Sequence, residues 1–301
     1  MGAADIVPGV SGGTIALITG VYKELLDSIN KFSWQEIKLI KNEGFTDVWR
    51  KLNGAFLLSL FAGIISSILL LSRVLEWLII NEPIGLWSFF LGLLIASILF
   101  LVKKELKYNL KSLFYLSIGC LISYLITQLS SVSNEAPIWY IFIAGFIGIS
   151  AMILPGLSGA YILIVMGVYQ KILSNIKQAQ DLIFSFNQEQ FIQVASILSV
   201  FILGIFVGIK VFTRLLSWFL SRYHEETFSF LIGLMIGALG KVWPWQNNLI
   251  KLGEDVQNSN TPVLPQNFDG SSPEVEKALI LMFLGFVLLF VVEQSKVLLK
   301  K

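Results

Sequence analysis

Long apolar runs alternate with short polar ones along nearly the whole chain, and that alternation predicts its elements. Apolar stretches cover residues 54–80, 86–102, 112–129, 138–153, 193–220, 227–243 and 278–295. Several approach the roughly 20 residues needed to cross the hydrocarbon core of a bilayer as a helix. A membrane β-barrel would show short, strictly alternating segments instead. Between the runs lie an amphipathic polar stretch over 31–52, a Ser/Asn/Pro loop after 129 and a second polar stretch over 177–192. A longer insertion over 244–275 is rich in Asn, Pro, Asp and Ser. The pattern predicts an all-α polytopic membrane protein.

Two stretches carry the same interruption. Residues 4–29 read ADIVPGVSGGTIALITGVYKELLDSI and residues 151–176 read AMILPGLSGAYILIVMGVYQKILSNI; they agree at 12 of 26 positions without a gap. The agreements include Pro8/Pro155, Gly9/Gly156, Ser11/Ser158, Gly12/Gly159, Gly20/Gly167, Val21/Val168 and Tyr22/Tyr169. Proline ends or kinks an incoming helix, and glycine permits turns that a side chain blocks. Each copy therefore predicts a broken helix, with a Pro-Gly-x-Ser-Gly turn between an incoming arm and an outgoing arm over 15–29 or 162–176. Interruptions at matching places in two halves point to a transporter's midplane site.

The duplication runs beyond the motif. Residues 63–98 and 204–239 share 11 of 36 positions, among them Arg73/Arg214, Trp77/Trp218, Ser88/Ser229, Phe89/Phe230 and Gly92/Gly233. Each half, 1–137 and 138–301, then consists of a broken re-entrant helical hairpin plus three transmembrane helices. An odd number of crossings per half inserts the halves in opposite directions, so the pattern predicts two inverted-topology repeats. Charge agrees. With 31–53, 103–111 and the C-terminus in the cytoplasm, thirteen Lys and Arg fall inside and four outside, the asymmetry of the positive-inside rule. The 244–275 insertion is then extracytoplasmic. The arm equivalent to 138–153 would lie mostly upstream of Met1, so the first hairpin is expected to be truncated at its start.

Composition narrows the functional classes. Apolar residues make up 55% of the chain and charged residues 14%, and the mean hydropathy is +0.75. No basic block suggests a nucleic-acid partner. The single cysteine, Cys120, excludes an intramolecular disulfide or a thiolate metal cluster. The single histidine, His224, falls in a polar Arg-Tyr-His-Glu-Glu turn and reads as a loop residue. No nucleophile–base set, phosphate-binding loop or metal-ligand spacing appears, so neither an enzyme nor a cofactor is expected.

The motif offers chemistry for an anion. An outgoing arm that starts near the bilayer centre presents unpaired N–H groups and a helix dipole. Ser11 and Ser158 add hydroxyls, although serine at such a place also simply caps a helix. Small residues in membranes equally mark close helix packing. Two copies at matching positions favour a site, with Asp5, Pro8, Gly9, Ser11, Gly12, Gly13 and Thr14 on one side. Pro155, Gly156, Ser158 and Gly159 would form the other.

Intramembrane arginines are the next candidates, because burying guanidinium in lipid is costly without a purpose and its geometry suits phosphate. Arg73 has Glu76 one turn on as a competing partner, whereas the turn neighbours of Arg214, Lys210 and Ser217, offer no carboxylate. Both arginines can also snorkel to an interface. Asp5 has Met152 as its mate in the second copy and reads either as a proton-coupling acid or as a capping acceptor. Glu293 lies near a span end and reads as snorkelling. Tyr22 and Tyr169 read as helix packing.

The stretches AADIVPGVSGGTIALITGVYKELL and PGLSGAYILIVMGVY resemble the polyprenyl-phosphate (undecaprenyl-phosphate) transporter family, over essentially the whole chain. The resemblance implies a flippase of the bacterial cytoplasmic membrane. It would return undecaprenyl phosphate, the lipid carrier of cell-envelope glycan synthesis, from the outer to the inner leaflet. It also maps the family's motif onto Asp5 through Thr14 and onto Pro155 through Gly159. The residues alone leave open a small-anion channel or transporter, or a membrane enzyme acting on a lipid phosphate. The partners expected are the polyprenyl phosphate and the bilayer, and a homo-oligomer is left open.

Overall fold

The computed structural model places helices along the apolar runs, a few of them opened by side-chain caps. It describes residues 1–2, 11–32, 44–128, 137–184, 187–248, 260–270 and 272–299. The first two helices are α1 (Gly12–Ile18) and α2 (Tyr22–Lys31), followed by α3 (Phe45–Lys51), α4 (Gly54–Asn81), α5 (Pro83–Glu105) and α6 (Leu110–Gln128). Then come α7 (Ile138–Ile153), α8 (Gly159–Val165), α9 (Tyr169–Phe184), α10 (Gln188–Arg222), α11 (His224–Gly237) and α12 (Val275–Leu299). Pro83 opens α5 at the position where a missing N–H costs nothing, and Lys103 and Lys104 sit against the negative end of its dipole. Asn187 caps α10 by accepting from the Glu189 and Gln190 N–H groups at 3.0 and 3.2 Å.

Four of the described helices are long and apolar enough to cross a membrane, within α4, α5, α6 and α10, or five if the bent pair α8–α9 counts as one. α7, with 16 residues, is about 24 Å long at about 1.5 Å per residue. That falls short of a hydrocarbon core of roughly 30 Å. α11 stops after 14 residues at Gly237, and a 3₁₀ turn (Leu239–Val242) carries the chain on towards Pro244. The expected span over 227–243 is therefore a helix with a tightened end.

The outgoing arms differ from the expected continuous helices. Each stops after seven residues. Gly20 and Gly167 adopt φ of 71° and 70°, a left-handed conformation open chiefly to glycine. Both stops have the same hydrogen bonds: Gly20 N to Leu17 O and Val21 N to Ala16 O, matched by Gly167 N to Ile164 O and Val168 N to Leu163 O. This is the Schellman stop. Beyond it the chain turns by 111° between α8 and α9.

Three helix pairs make the body: α6 with α11, α7 with α10, and α5 with α12. Glycines set their approach. A Cβ on Gly233 would strike Leu116 O, one on Gly204 would strike Phe142 O, and one on Gly92 would strike Met282 O, so backbones meet as small residues allow in membranes. Leu91, Leu231, Ile232, Leu234 and Met235, on α5 and α11, are among the fully buried side chains at the centre.

The bundle has two distinguishable ends. At one, Lys107 pairs with Glu225 and His224 Nε2 lies 3.1 Å from Glu105 Oε2, joining the α5–α6 and α10–α11 connections. At the other, Lys277 pairs with Glu82, joining the α4–α5 turn to the start of α12. The polar insertion sits at this second end. Its strands β1 (Gln246–Asn248) and β2 (Asn260–Pro262) pair antiparallel, with Asn247 opposite Thr261. Trp245 is anchored there by its indole N–H to Pro273 O at 2.7 Å.

Candidate functional site

The two motif copies meet. Ser11 opens α1 as an N-cap, its Oγ accepting from Gly13 N at 3.1 Å. The same hydroxyl lies 3.3 Å from Met152 O and 3.2 Å from Leu154 O, so it donates into the carbonyls left open where α7 ends. Thr14 Oγ1 accepts from Gly156 N at 3.0 Å. Tyr22, which the sequence suggested as mere packing, donates its hydroxyl to Ile153 O at 3.0 Å. Three residues of one copy thus hold the backbone of the other through four hydrogen bonds, across 131 to 143 positions of sequence.

Close approach makes two glycines obligatory. A Cβ on Gly13 would stand 2.5 Å from Ile153 O, and one on Gly156 would stand 2.8 Å from Met235 Cα. Gly156 also has φ of 82°. Gly12, Pro155 and Gly156 are buried, while Ser158 and Gly159 are half-buried. Ser158 caps α8 by accepting from Tyr161 N at 3.4 Å. Its hydroxyl proton has no acceptor among the described residues.

Of the expected site residues, Ser11, Gly12, Gly13, Thr14, Pro155, Gly156, Ser158 and Gly159 lie in the two meeting copies. Asp5, Pro8 and Gly9 lie outside the described residues, as does the side chain of Arg73, whose backbone is part of α4. Arg214 is exposed on α10 and makes no ion pair among the described residues. Its neighbour Thr213 is fully buried and bonds Asn30 Oδ1 at 2.9 Å, while Asn30 Nδ2 reaches Ser217 Oγ at 2.8 Å. Lys210, one turn earlier, donates to Ile29 O and Phe32 O at the end of α2. It therefore neutralises a helix C-terminus, a role that sequence spacing did not suggest.

The copies leave the centre towards different ends. α2 reaches the α10 segment around Thr213 and Ser217, and its Glu24 and Ser28 take the Asn53 amide at 2.9 and 3.1 Å. Tyr161 on α8 instead reaches the far end of α6, 3.0 Å from Thr127 O. There the Lys241 ammonium lies 4.6 Å from its ring centroid, a cation–π contact. Beside the motif lies a cavity of about 630 Å³, with Leu154 at its inner end.

The family model described as undecaprenyl phosphate translocase-like matches residues 1–259. The chain belongs to that family. Among its relatives is a protein named polyprenyl-phosphate transporter from Vibrio cholerae, 38% identical over 98% of this chain and 93% of the relative. A second protein of that name, from Staphylococcus aureus, is 29% identical over 81% of this chain and 83% of its own length. No solved structure matches the chain. Membership in a translocase-like family gives the clasp between the copies a setting: it stands at the centre of a multi-pass membrane protein.

Proposed function

We propose that this protein is a flippase-like secondary transporter that carries the phosphate headgroup of a polyprenyl phosphate past the clasp while the isoprenoid chain stays in lipid. The observation that carries this reading is the meeting of the two motif copies at the centre of a chain matched almost end to end by a relative named polyprenyl-phosphate transporter. The headgroup would be held by the motif residues around Ser158 and Gly159 and by cations that approach from the two ends. Arg214 would serve one end, and Arg73 is its counterpart in the first half. Asp5, Pro8 and Gly9 complete the first copy of the motif in this reading.

The short helices shift the physical weight of the reading. Seven residues, capped by their own serine, give a weaker terminal charge than the expected fifteen-residue arm. Neutralising the phosphate therefore falls more heavily on the cations. Inverted repeats, 1–137 and 138–301, are supported by the opposite ends of α10 that the equivalent helices α2 and α9 reach, around Ser217 and Ile197. We place the end holding Lys107 and Glu225 in the cytoplasm on the strength of the charge asymmetry. Transport would run from the outer to the inner leaflet of a bacterial cytoplasmic membrane, serving cell-envelope glycan synthesis.

Binding of undecaprenyl phosphate to the purified protein tests this directly. Saturable binding, weakened roughly tenfold by Arg214→Ala as expected for losing a charge-assisted contact and weakened less by Ser158→Ala, is the expected result. Inorganic phosphate should not compete. Failure to bind the lipid, together with phosphate or chloride flux in vesicles, would sink the reading in favour of a small-anion pathway. Release of phosphate from the lipid would favour an enzyme.

A further inference from the structure

The cavity beside the clasp lies between α6, α10 and α11, and its lining is almost wholly carbon. Phe212, Leu215 and Phe219 on α10 face Ile118 on α6 and Phe230 on α11. Its inner end is Leu154, whose carbonyl takes the Ser11 hydroxyl and which immediately precedes Pro155. Its outer end, towards Lys107 and Glu225, is closed by Tyr223, Glu226 and Thr227. Leu215 and Phe219 on one lip and Tyr115 on the other are exposed, so the cavity opens sideways, out of the bundle. A soluble ligand would gain little there, because the walls offer scarcely a hydrogen bond.

We infer that this cavity is the lateral portal for the substrate's chain, and that it holds the isoprene units next to the phosphate. The inference rests on the transporter reading above. Two features fix the direction in which the lipid lies. A phosphate at the outer end would meet the Glu226 carboxylate, a like charge in a site of low dielectric. At the inner end it would meet the motif copies, and the chain would leave past Leu215 and Phe219 into the acyl region of the adjoining leaflet. In the orientation proposed above, that leaflet is the inner one. A volume of about 630 Å³ lies within the usual range of small-molecule sites, roughly 300–1,000 Å³. It suits only the headgroup-proximal units, with the remaining chain left in lipid.

Affinity should therefore rise with the first isoprene units and then stop rising. The test measures binding of geranyl, farnesyl, geranylgeranyl and undecaprenyl phosphate to the full chain in detergent. Wild type is compared with Leu215→Trp, which blocks an exposed lip without crowding the core, and with Leu215→Asp, which puts charge in the path. Each variant's elution on size exclusion checks its fold. The expected result is a wild-type plateau beyond the shorter chains, with both variants weakened roughly tenfold for the long chains, about the effect of withdrawing two methylene groups from apolar surroundings. The variants' length dependence should flatten. Wild-type binding of undecaprenyl phosphate with an unchanged length profile in both variants would overturn the portal and leave the transporter reading intact. No binding of any polyprenyl phosphate by wild type would overturn both.

Discussion

The two Pro-Gly-x-Ser-Gly copies fold alike and are used differently. Both serines cap a seven-residue helix, and both helices stop at a left-handed glycine followed by Val-Tyr. In the first copy, however, the polar side chains turn inward: Ser11, Thr14 and Tyr22 all reach residues 152–156. In the second copy the residue equivalent to Thr14 is Tyr161, which bonds to the end of α6 instead. Gly13 is pressed against Ile153 O, whereas its equivalent is an exposed alanine, Ala160. One copy is a clasp and the other is the strap it closes on. The local fold is shared; the copies diverge at Gly13/Ala160 and Thr14/Tyr161, while the identical pairs Ser11/Ser158 and Tyr22/Tyr169 are put to different uses.

This comparison can be broken by substitution. The largest effect is expected at Gly156→Ala, which forces a side chain into a left-handed backbone and against Met235 Cα. Strain and overpacking together should cost about 3 kcal/mol, read as lowered stability to unfolding in detergent. An unchanged midpoint would mean that the crossing gives way easily. Next, Gly13→Ala should cost about 2 kcal/mol by overpacking. Ala160→Gly at the equivalent place should cost less than about 1 kcal/mol, the propensity difference alone. Equal costs at the two sites would erase the distinction between clasp and strap. The smallest effect is expected from Tyr22→Phe, about 1 kcal/mol for a lost hydrogen bond and an unsatisfied Ile153 carbonyl. Tyr169→Phe should do nearly nothing, since Tyr169 makes no such bond among the described residues.

How far the molecule was legible followed the range of the interactions. The apolar runs announced α4, α5, α6, α7 and α10 because helix length and lipid thickness are local matters. Ser11 and Ser158 could be read as caps for the same reason. The Gly-Val-Tyr triplets are visible as identities, yet the pattern alone predicts a continuing arm. A glycine in a helical pattern declares a stop only through its φ, which composition does not show. The clasp was not legible at all. Ser11 and Leu154 are 143 residues apart, and nothing local to either distinguishes a hydroxyl that caps its own helix from one that also serves another. The same holds for Lys210, which in the sequence is only a neighbour of Arg214 that offers it no carboxylate, while its partners are carbonyls at the end of α2.

Every link of the clasp onto residues 152–156 ends on main chain: three carbonyls and one amide. Met152, Ile153 and Leu154 can therefore exchange side chains without loosening it, while Ser11, Thr14 and Tyr22 cannot. The genetic tolerance of the two strands of this seam is unequal by construction. Leu154 is left free to vary for whatever occupies the space beside it.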